Sequence, residues 1–245
     1  MSPLDAGDLR TKPGRWERAT NAEQKRLVRL YDEWAADLKR ELLAADALAA
    51  SPGQLNLILE KRLPELEAAM LAETHRGILK AEAVALRGGE VSPRVLAARA
   101  ERIRLNDETV VDGFMPFIGG RLQEQLAAGV VSQPKLLTAG LVAQRSFPAQ
   151  MSGGFWVMIF ETLKAKGQDE NDELRRQGLP PVKVRWVLDP LAEHCIASEG
   201  RYGCPDLAGV YLEWDALPTV PGGQVTCRLN CRCLIEVWRN GQWER

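Results

Sequence analysis

Five cysteines near the C-terminal end are the residues of this 245-residue chain with the greatest capacity for chemistry. They form two groups separated by a long loop, Cys195 and Cys204 in the first group and Cys227, Cys231 and Cys233 in the second. Tetrahedral zinc sites are commonly built from two such groups of thiolates, because each group closes one side of the ion. The spacing therefore predicts a metal site, with zinc as the metal and all five cysteines as candidate ligands.

Two other interpretations of these cysteines stay open. Neither group has the C-x2-C spacing of a zinc ribbon, and five thiols exceed four ligand positions even before His194 is considered as a ligand. The thiols could instead form disulfides, or be buried as plain apolar side chains. A module of about sixty residues buries little apolar surface, which favours a metal or a disulfide as a stabilising element.

The remainder of the sequence lacks the patterns of an enzyme. The chain has two histidines, and His75 stands on a predicted helix with no second histidine nearby. No Gly-x-Ser-x-Gly elbow, Walker phosphate loop or Rossmann fingerprint occurs. Most carboxylates alternate with Lys and Arg, as they do on solvated helix surfaces. We therefore expect a protein that is not an enzyme and has no catalytic residues.

The cysteines also mark the main division of the chain. All five lie between residues 195 and 233, and four of the seven tryptophans lie in the same last quarter. The change in composition, close to Leu179-Pro180-Pro181, predicts an extended arm over 1–20, a helical body over 21–180 and a cysteine-rich β module over 181–245. The predicted fold class is α+β, mainly helical with a small β-rich module at the C-terminal end.

Helical periodicity dominates before that division. One series of apolar residues at three- and four-residue steps predicts a first long helix (Leu27, Leu30, Tyr31, Trp34, Leu38 and Leu42). A second series includes Pro64 as a kink or a new start, and a third helix begins at Ser92-Pro93 and is expected to end at Gly113 and Pro116. Shorter helices are predicted over 121–128, 134–145, 155–166 and 170–177.

The periodicity changes to two after Pro181, which predicts strands. Val182, Val184, Trp186 and Leu188 alternate with other residues in a first strand, and Cys231, Cys233, Ile235 and Val237 share one face of a second. Asn240-Gly241 is the sequence of a type I′ hairpin turn, from which a return strand begins at Gln242 and Trp243.

Charge and hydropathy restrict the partners that the chain can have. The formal net charge is −1, so a contact with nucleic acid would have to be local. The segment from Arg10 to Arg29 contains seven basic and two acidic residues and could contact DNA or an acidic protein surface, although a solvated helix start is the favoured explanation. The longest apolar run, Phe155 to Phe160, is far shorter than a membrane helix, so no membrane contact is expected.

The cysteine module resembles the C-terminal domain of tailed-phage head-morphogenesis, or minor capsid, proteins of the Mu F-like type. The resemblance covers about residues 182–238. It rests on four segments: Val184-Arg185-Trp186 through Asp189 to Cys195, Cys204-Pro205-Asp206-Leu207-Ala208-Gly209, Leu217-Pro218-Thr219-Val220-Pro221-Gly222, and Cys227-Arg228-Leu229-Asn230-Cys231-Arg232-Cys233. The chain departs from the family pattern in its wide first spacing, which puts Cys195 in more doubt than Cys204, and in Cys227, which stands roughly where the family has a histidine.

The resemblance implies a function in assembly. A minor capsid protein of this kind would bind the phage portal or the major capsid protein, in several copies per particle, and would be found in the host cytoplasm during assembly and then in the virion head. The basic residues of the N-terminal segment, rather than the resemblance, make packaged DNA a candidate for a further partner. The alternative is a zinc-binding protein that interacts with nucleic acid through the module itself, but residues 182–245 contain seven basic and eight acidic residues.

Overall fold

The computed structural model describes residues 15–188, 195–198, 200–226 and 233–244. Eight α-helices are seen in these ranges: α1 Arg15–Ala47, α2 Pro52–Leu86, α3 Pro93–Glu108, α4 Met115–Ala127, α5 Pro134–Ala143, α6 Ser146–Met151, α7 Gly153–Arg176 and α8 Cys204–Leu207. The described ranges also contain four strands, the first between α7 and α8 and the others after α8: β1 Val184–Val187, β2 Gly209–Tyr211, β3 Leu234–Arg239 and β4 Gln242–Glu244. A mainly helical chain with a small β-rich part at its C-terminal end confirms the predicted α+β class. None of the helices in the described ranges is both long and apolar enough to span a membrane.

The chain divides into two compact units. The helical unit comprises Glu23–Gly77 and Glu101–Ser152. The mixed unit contains the described residues up to Ala22, those of Ile78–Ala100 and those from Gly153 onward. The division predicted near residue 180 coincides with the change from helices to strands, and it stays a prediction about independent domains.

The helical unit is built around the apolar face predicted for α1. Leu27, Tyr31, Trp34, Leu38 and Leu42 are all buried. The Tyr31 hydroxyl donates to the carbonyl of Leu141 (2.8 Å), and the Trp34 indole donates to the carbonyl of Arg62 (2.9 Å). Burial, and to a lesser degree the nearby Asp32 carboxylate, raises the pKa of Tyr31 above its usual value, so its hydroxyl remains a donor.

The N-terminal boundary differs from the prediction. Helix α1 begins at Arg15, so the last six residues of the predicted arm over 1–20 are helical. Residues 1–14 lie outside the described ranges. Helix α2 continues through Pro64, which is therefore not the start of a new helix. The two helices predicted over 155–166 and 170–177 form the single helix α7.

The predicted end of the third helix, at Gly113 and Pro116, is wrong. The segment Thr109–Phe114 is a π-helix that connects α3 directly to α4, and the Met115 amide donates to the carbonyl of Val110. In an α-helix the ring of Pro116 would clash with the carbonyl of Asp112. Asp112 lies in the wider π-turn that immediately precedes Pro116, so the chain accommodates the proline without leaving the helical path.

The four strands of the mixed unit form one antiparallel sheet in the order β2-β1-β3-β4. Trp186 of β1 is opposite Ile235 of β3, and both are buried together with Phe160 of α7. The hairpin between β3 and β4 has Asn240 and Gly241 at φ values of 51° and 78°. Two positive φ values in a two-residue loop are those of a type I′ turn, which confirms the prediction from Asn-Gly.

Candidate metal centre

The structure brings Cys195 and Cys204 together. Their Sγ atoms are 3.3 Å apart, and the Cys204 amide donates to the carbonyl of Cys195 (3.1 Å). A disulfide is about 2.05 Å long, whereas two thiolates bound at 2.3 Å to one tetrahedral zinc ion lie roughly 3.8 Å apart. The two sulfurs can therefore act as neighbouring ligands of one soft metal ion, and a small movement would let them form a disulfide.

A closed loop explains how two cysteines separated by eight intervening residues become neighbours. Ser198 and Arg201 exchange two backbone hydrogen bonds (3.3 and 2.9 Å), which reverse the chain. Gly203 then passes so close to the opposite arm that a Cβ atom there would lie 2.7 Å from the amide nitrogen of Ala197. Its own amide donates to Asp206 (3.1 Å) at the start of α8. A glycine is required at 203 because any side chain would separate the two arms.

Cys233 and Cys204 belong to one hydrophobic core. Cys233 directly precedes β3, and it is buried together with Cys204, Trp186 and Val225, while Cys195 packs against the edge of this cluster. Burial of Cys204 and Cys233 fits either a closed metal site or a core that excludes water. Sequence reasoning placed Cys204 and Cys233 in one module, and the structure places them in one core.

Two of the predicted ligands cannot be placed. Cys227 and Cys231 lie outside the described residues, as does His194. Within the described ranges, no group of three or more His, Cys, Asp or Glu side chains has the arrangement of a metal site. The metal site, with its set of five cysteines, therefore stays a prediction, of which one pair is now defined geometrically.

Helix α7 forms one wall of the cysteine module, which the sequence did not indicate. Trp214 is buried against Gly167 of α7, where a Cβ atom would lie closer than 3.0 Å to the indole ring. The ring thus occupies the space that a side chain would fill. The only sequence signal is a glycine in the middle of a helix, which often marks a close approach.

Two polar contacts also attach α7 to the module. The buried Asn171 side chain accepts a hydrogen bond from the Val182 amide (2.8 Å), just before β1. The Lys164 ammonium donates to the carbonyl of Leu217 (2.7 Å), and burial lowers the pKa of this lysine against the opposing effect of Asp215 and Glu161. Neither contact could be read from the sequence, because both join residues whose pairing depends on the tertiary fold.

Charged residues continue this attachment at the surface. Arg175 of α7 forms ion pairs with Glu213 and Asp215, the two residues on either side of Trp214 in the chain. On the same helix, the hydrogen bond from Arg94 holds the pKa of Asp172 below its usual value. Because these ion pairs are exposed, each contributes little to the free energy of unfolding. We therefore expect them to orient the segment around Trp214 rather than to stabilise it.

His75 is paired with a carboxylate. Its Nε2 lies 2.6 Å from Oδ1 of Asp107, which joins α2 to α3 inside the helical unit. Both side chains are partly exposed. The pairing gives His75 a structural partner at the surface, and the expectation that the protein is not an enzyme stays a prediction.

Comparison with known proteins adds no relative, since no protein-family model, curated protein or solved structure matches the chain.

Proposed function

We propose that this chain is a non-enzymatic minor capsid, or head-morphogenesis, protein of a tailed phage, which binds the portal or the inner capsid during head assembly. The observation that carries the proposal is the juxtaposition of Cys195 and Cys204 in one core with Cys233. In the resembling motif, the first cysteine pair and the Asn-Cys-Arg-Cys segment are the two ends of one module. A first pair brought together across eight residues supports that correspondence where the spacing had weakened it.

The surface of the module supports an assembly function as well. Ile196, Val210 and Leu212 are large apolar side chains with exposed fractions of 79%, 59% and 70%. Val210 lies on β2, an edge strand of the sheet. Exposed apolar groups at a strand edge are suited to burial against a protein partner.

The role is tested by fractionating particles from cells that produce the phage. Immature and mature heads are separated by density, and the chain is detected in each by quantitative mass spectrometry. We expect several copies of the chain in one or both kinds of particle. Chemical cross-linking of these particles should join the chain to the portal or to the major capsid protein. Absence of the chain from both kinds of particle would refute the proposal.

The N-terminal segment provides a second test of the same proposal. Deletion of residues 2–14 spares all of α1, so the melting temperature of the purified protein should not change. Incorporation into heads should decrease if the segment orders against a partner. Normal incorporation of the truncated protein would remove this segment from the mechanism, while the assembly role would stand or fall with the fractionation.

The chemistry of the module is tested by metal analysis combined with thiol titration of the unfolded protein. A zinc site predicts about one zinc per chain and five thiols after chelation. A disulfide predicts fewer than five thiols before reduction, and plain buried thiols predict five thiols with no metal. For a zinc site, Cys204→Ser and Cys231→Ser should each abolish stoichiometric zinc and destabilise the strands, with the helical unit retaining its structure.

A further inference from the structure

A groove on the helical unit has the side chains of an anion-binding site. It has a volume of about 620 Å³ and lies between α1 on one side and α6 with the turn that precedes it on the other. Lys25 and Arg29 line it from α1, Arg145 lines it from the turn, and Ser146 lines it from the start of α6. All four side chains are exposed, so a large ligand can reach them.

The arrangement of charge in the groove favours a ligand with several negative charges. Three cations face one carboxylate, that of Asp32, which is already bound to Arg145 (2.7 Å). Lys25 and Arg29 are one helical turn apart, about 6 Å along the axis, so their like charges repel. An anion between them would remove this repulsion. Asp32 in turn fixes Arg145 on the opposite side of the groove.

The polar groups of the groove are those that contact phosphates. Guanidinium, ammonium, hydroxyl and amide groups, the last from Gln24, are the side-chain donors that proteins use on a nucleic-acid backbone. Gln24 is held in place because its amide donates to the carbonyl of Ala149 (3.4 Å). The groove therefore offers donors from both of its sides to a ligand that carries oxygen acceptors.

The apolar residues that line the groove indicate which kind of polyanion it suits. The described residues that line the groove include no aromatic side chain, and Val28 and Ala149 are the apolar ones. Single-stranded nucleic acid is usually bound on stacking aromatics, and protein partners are anchored by large apolar or aromatic groups. A duplex that presents only its phosphates needs neither of these.

We propose that this groove binds the phosphodiester backbone of double-stranded DNA without reading its sequence. The net charge of −1 restricts such binding to a local patch. The inference stands on the groove alone. It does not require the cysteine module or the assembly function, and the experiment below can fail while the head-fractionation experiment succeeds.

The test measures binding of the full-length protein to a labelled 24-base-pair duplex of mixed sequence by fluorescence anisotropy, as a function of salt. Three phosphate contacts predict a slope of log K against log salt of about −2.7. The double variant Lys25→Gln/Arg29→Gln should reduce the slope to about −0.9 and weaken binding at 50 mM salt roughly 100-fold, since each contact contributes about tenfold there.

A matched control separates the groove from the overall charge. Lys61→Gln/Lys135→Gln also removes two positive charges, but from exposed positions of the helical unit outside the groove. This variant should bind nearly as the native protein does. Circular dichroism melts of both double variants should coincide with that of the native protein, because all four side chains are exposed.

Four results would overturn the proposal. The first is no binding of the duplex by native protein at 50 mM salt, and the second is an equal loss of affinity in the control variant. The third is competition by inorganic phosphate at the same phosphate concentration, which would assign a small-anion site instead. The fourth is tighter binding of a polyglutamate peptide than of the duplex, which would assign the groove to an acidic protein segment.

Discussion

Substitution of Gly167 by alanine tests whether the cysteine module depends on α7. Trp214 is only 2% exposed, and its five-membered ring lies where the Cβ atom of residue 167 would be. Heavy atoms in good contact are about 3.5–4.0 Å apart, so the ring or the helix would have to move to admit a methyl group. The ring is rigid and enclosed, which leaves little freedom for such a movement.

Two opposing effects determine the size of the change. Adding a methyl group to a close-packed core costs about 1–3 kcal/mol, and the rigid ring places Gly167→Ala near the upper end of this range. Alanine is favoured over glycine inside a helix by about 1 kcal/mol. The net expectation is a decrease of about 2 kcal/mol in the free energy of unfolding of the mixed unit.

Urea unfolding followed by circular dichroism measures this change, and Gly120 of α4 supplies the control. A Cβ atom at Gly120 would meet no atom within 4 Å, so Gly120→Ala should stabilise the protein by about 0.5–1 kcal/mol. In a Trp214→Phe background, Gly167→Ala should become much less costly, because the smaller ring leaves room for the methyl group. If Gly167→Ala stabilises the native protein as Gly120→Ala does, the packing argument is refuted.

Three further substitutions probe buried polar groups by the same unfolding measurement. Burial raises the pKa of Glu82 above its ordinary value of 4.5, so the folded state binds this proton more tightly than the unfolded state does. The stability that Glu82 contributes therefore falls as the pH rises above 4.5, and Glu82→Gln should become more stable relative to the native protein over the same rise; a pH-independent difference would contradict this. Asn171→Ala leaves the Val182 amide without its acceptor and should cost about 1–3 kcal/mol, unless water replaces the amide. Tyr31→Phe removes the donor to Leu141 and should cost about 1 kcal/mol; no loss would mean that this hydrogen bond is not stabilising.

Local features of the sequence were sufficient for much of the fold. The buried face of α1 follows from spacing alone, because a helix places residues three and four apart on one side. The turn at Asn240-Gly241 follows from the two positive φ values that only a few residues tolerate. The start of α1 and the continuation through Pro116 were missed. Both depend on how a local preference is overruled by the neighbouring chain, which composition does not encode.

The candidate site was predicted in part for a similar reason. Residue type and the distance between the two groups indicated a cysteine module, yet the wide first spacing put Cys195 in more doubt than Cys204. The structure brings Cys195 to Cys204 through the reversal at Ser198 and Arg201 and the close passage at Gly203. Spacing rules for metal sites assume a tight turn between two ligands, and a longer loop that closes on itself escapes them.

The part played by α7 changes how the cysteine module should be understood. A module of about sixty residues has a small hydrophobic core of its own, and a metal or a disulfide commonly stabilises such modules. Here a long helix also contributes Val157 and Phe160 to the core that contains Cys204 and Cys233. Any bond among the cysteines therefore restrains a core whose other wall is α7. The exposed edge of the sheet is thus a surface whose conformation is restrained both by α7 and by any bond among the cysteines. A partner that binds this edge would meet a preorganised surface, and preorganisation lowers the entropic cost of binding.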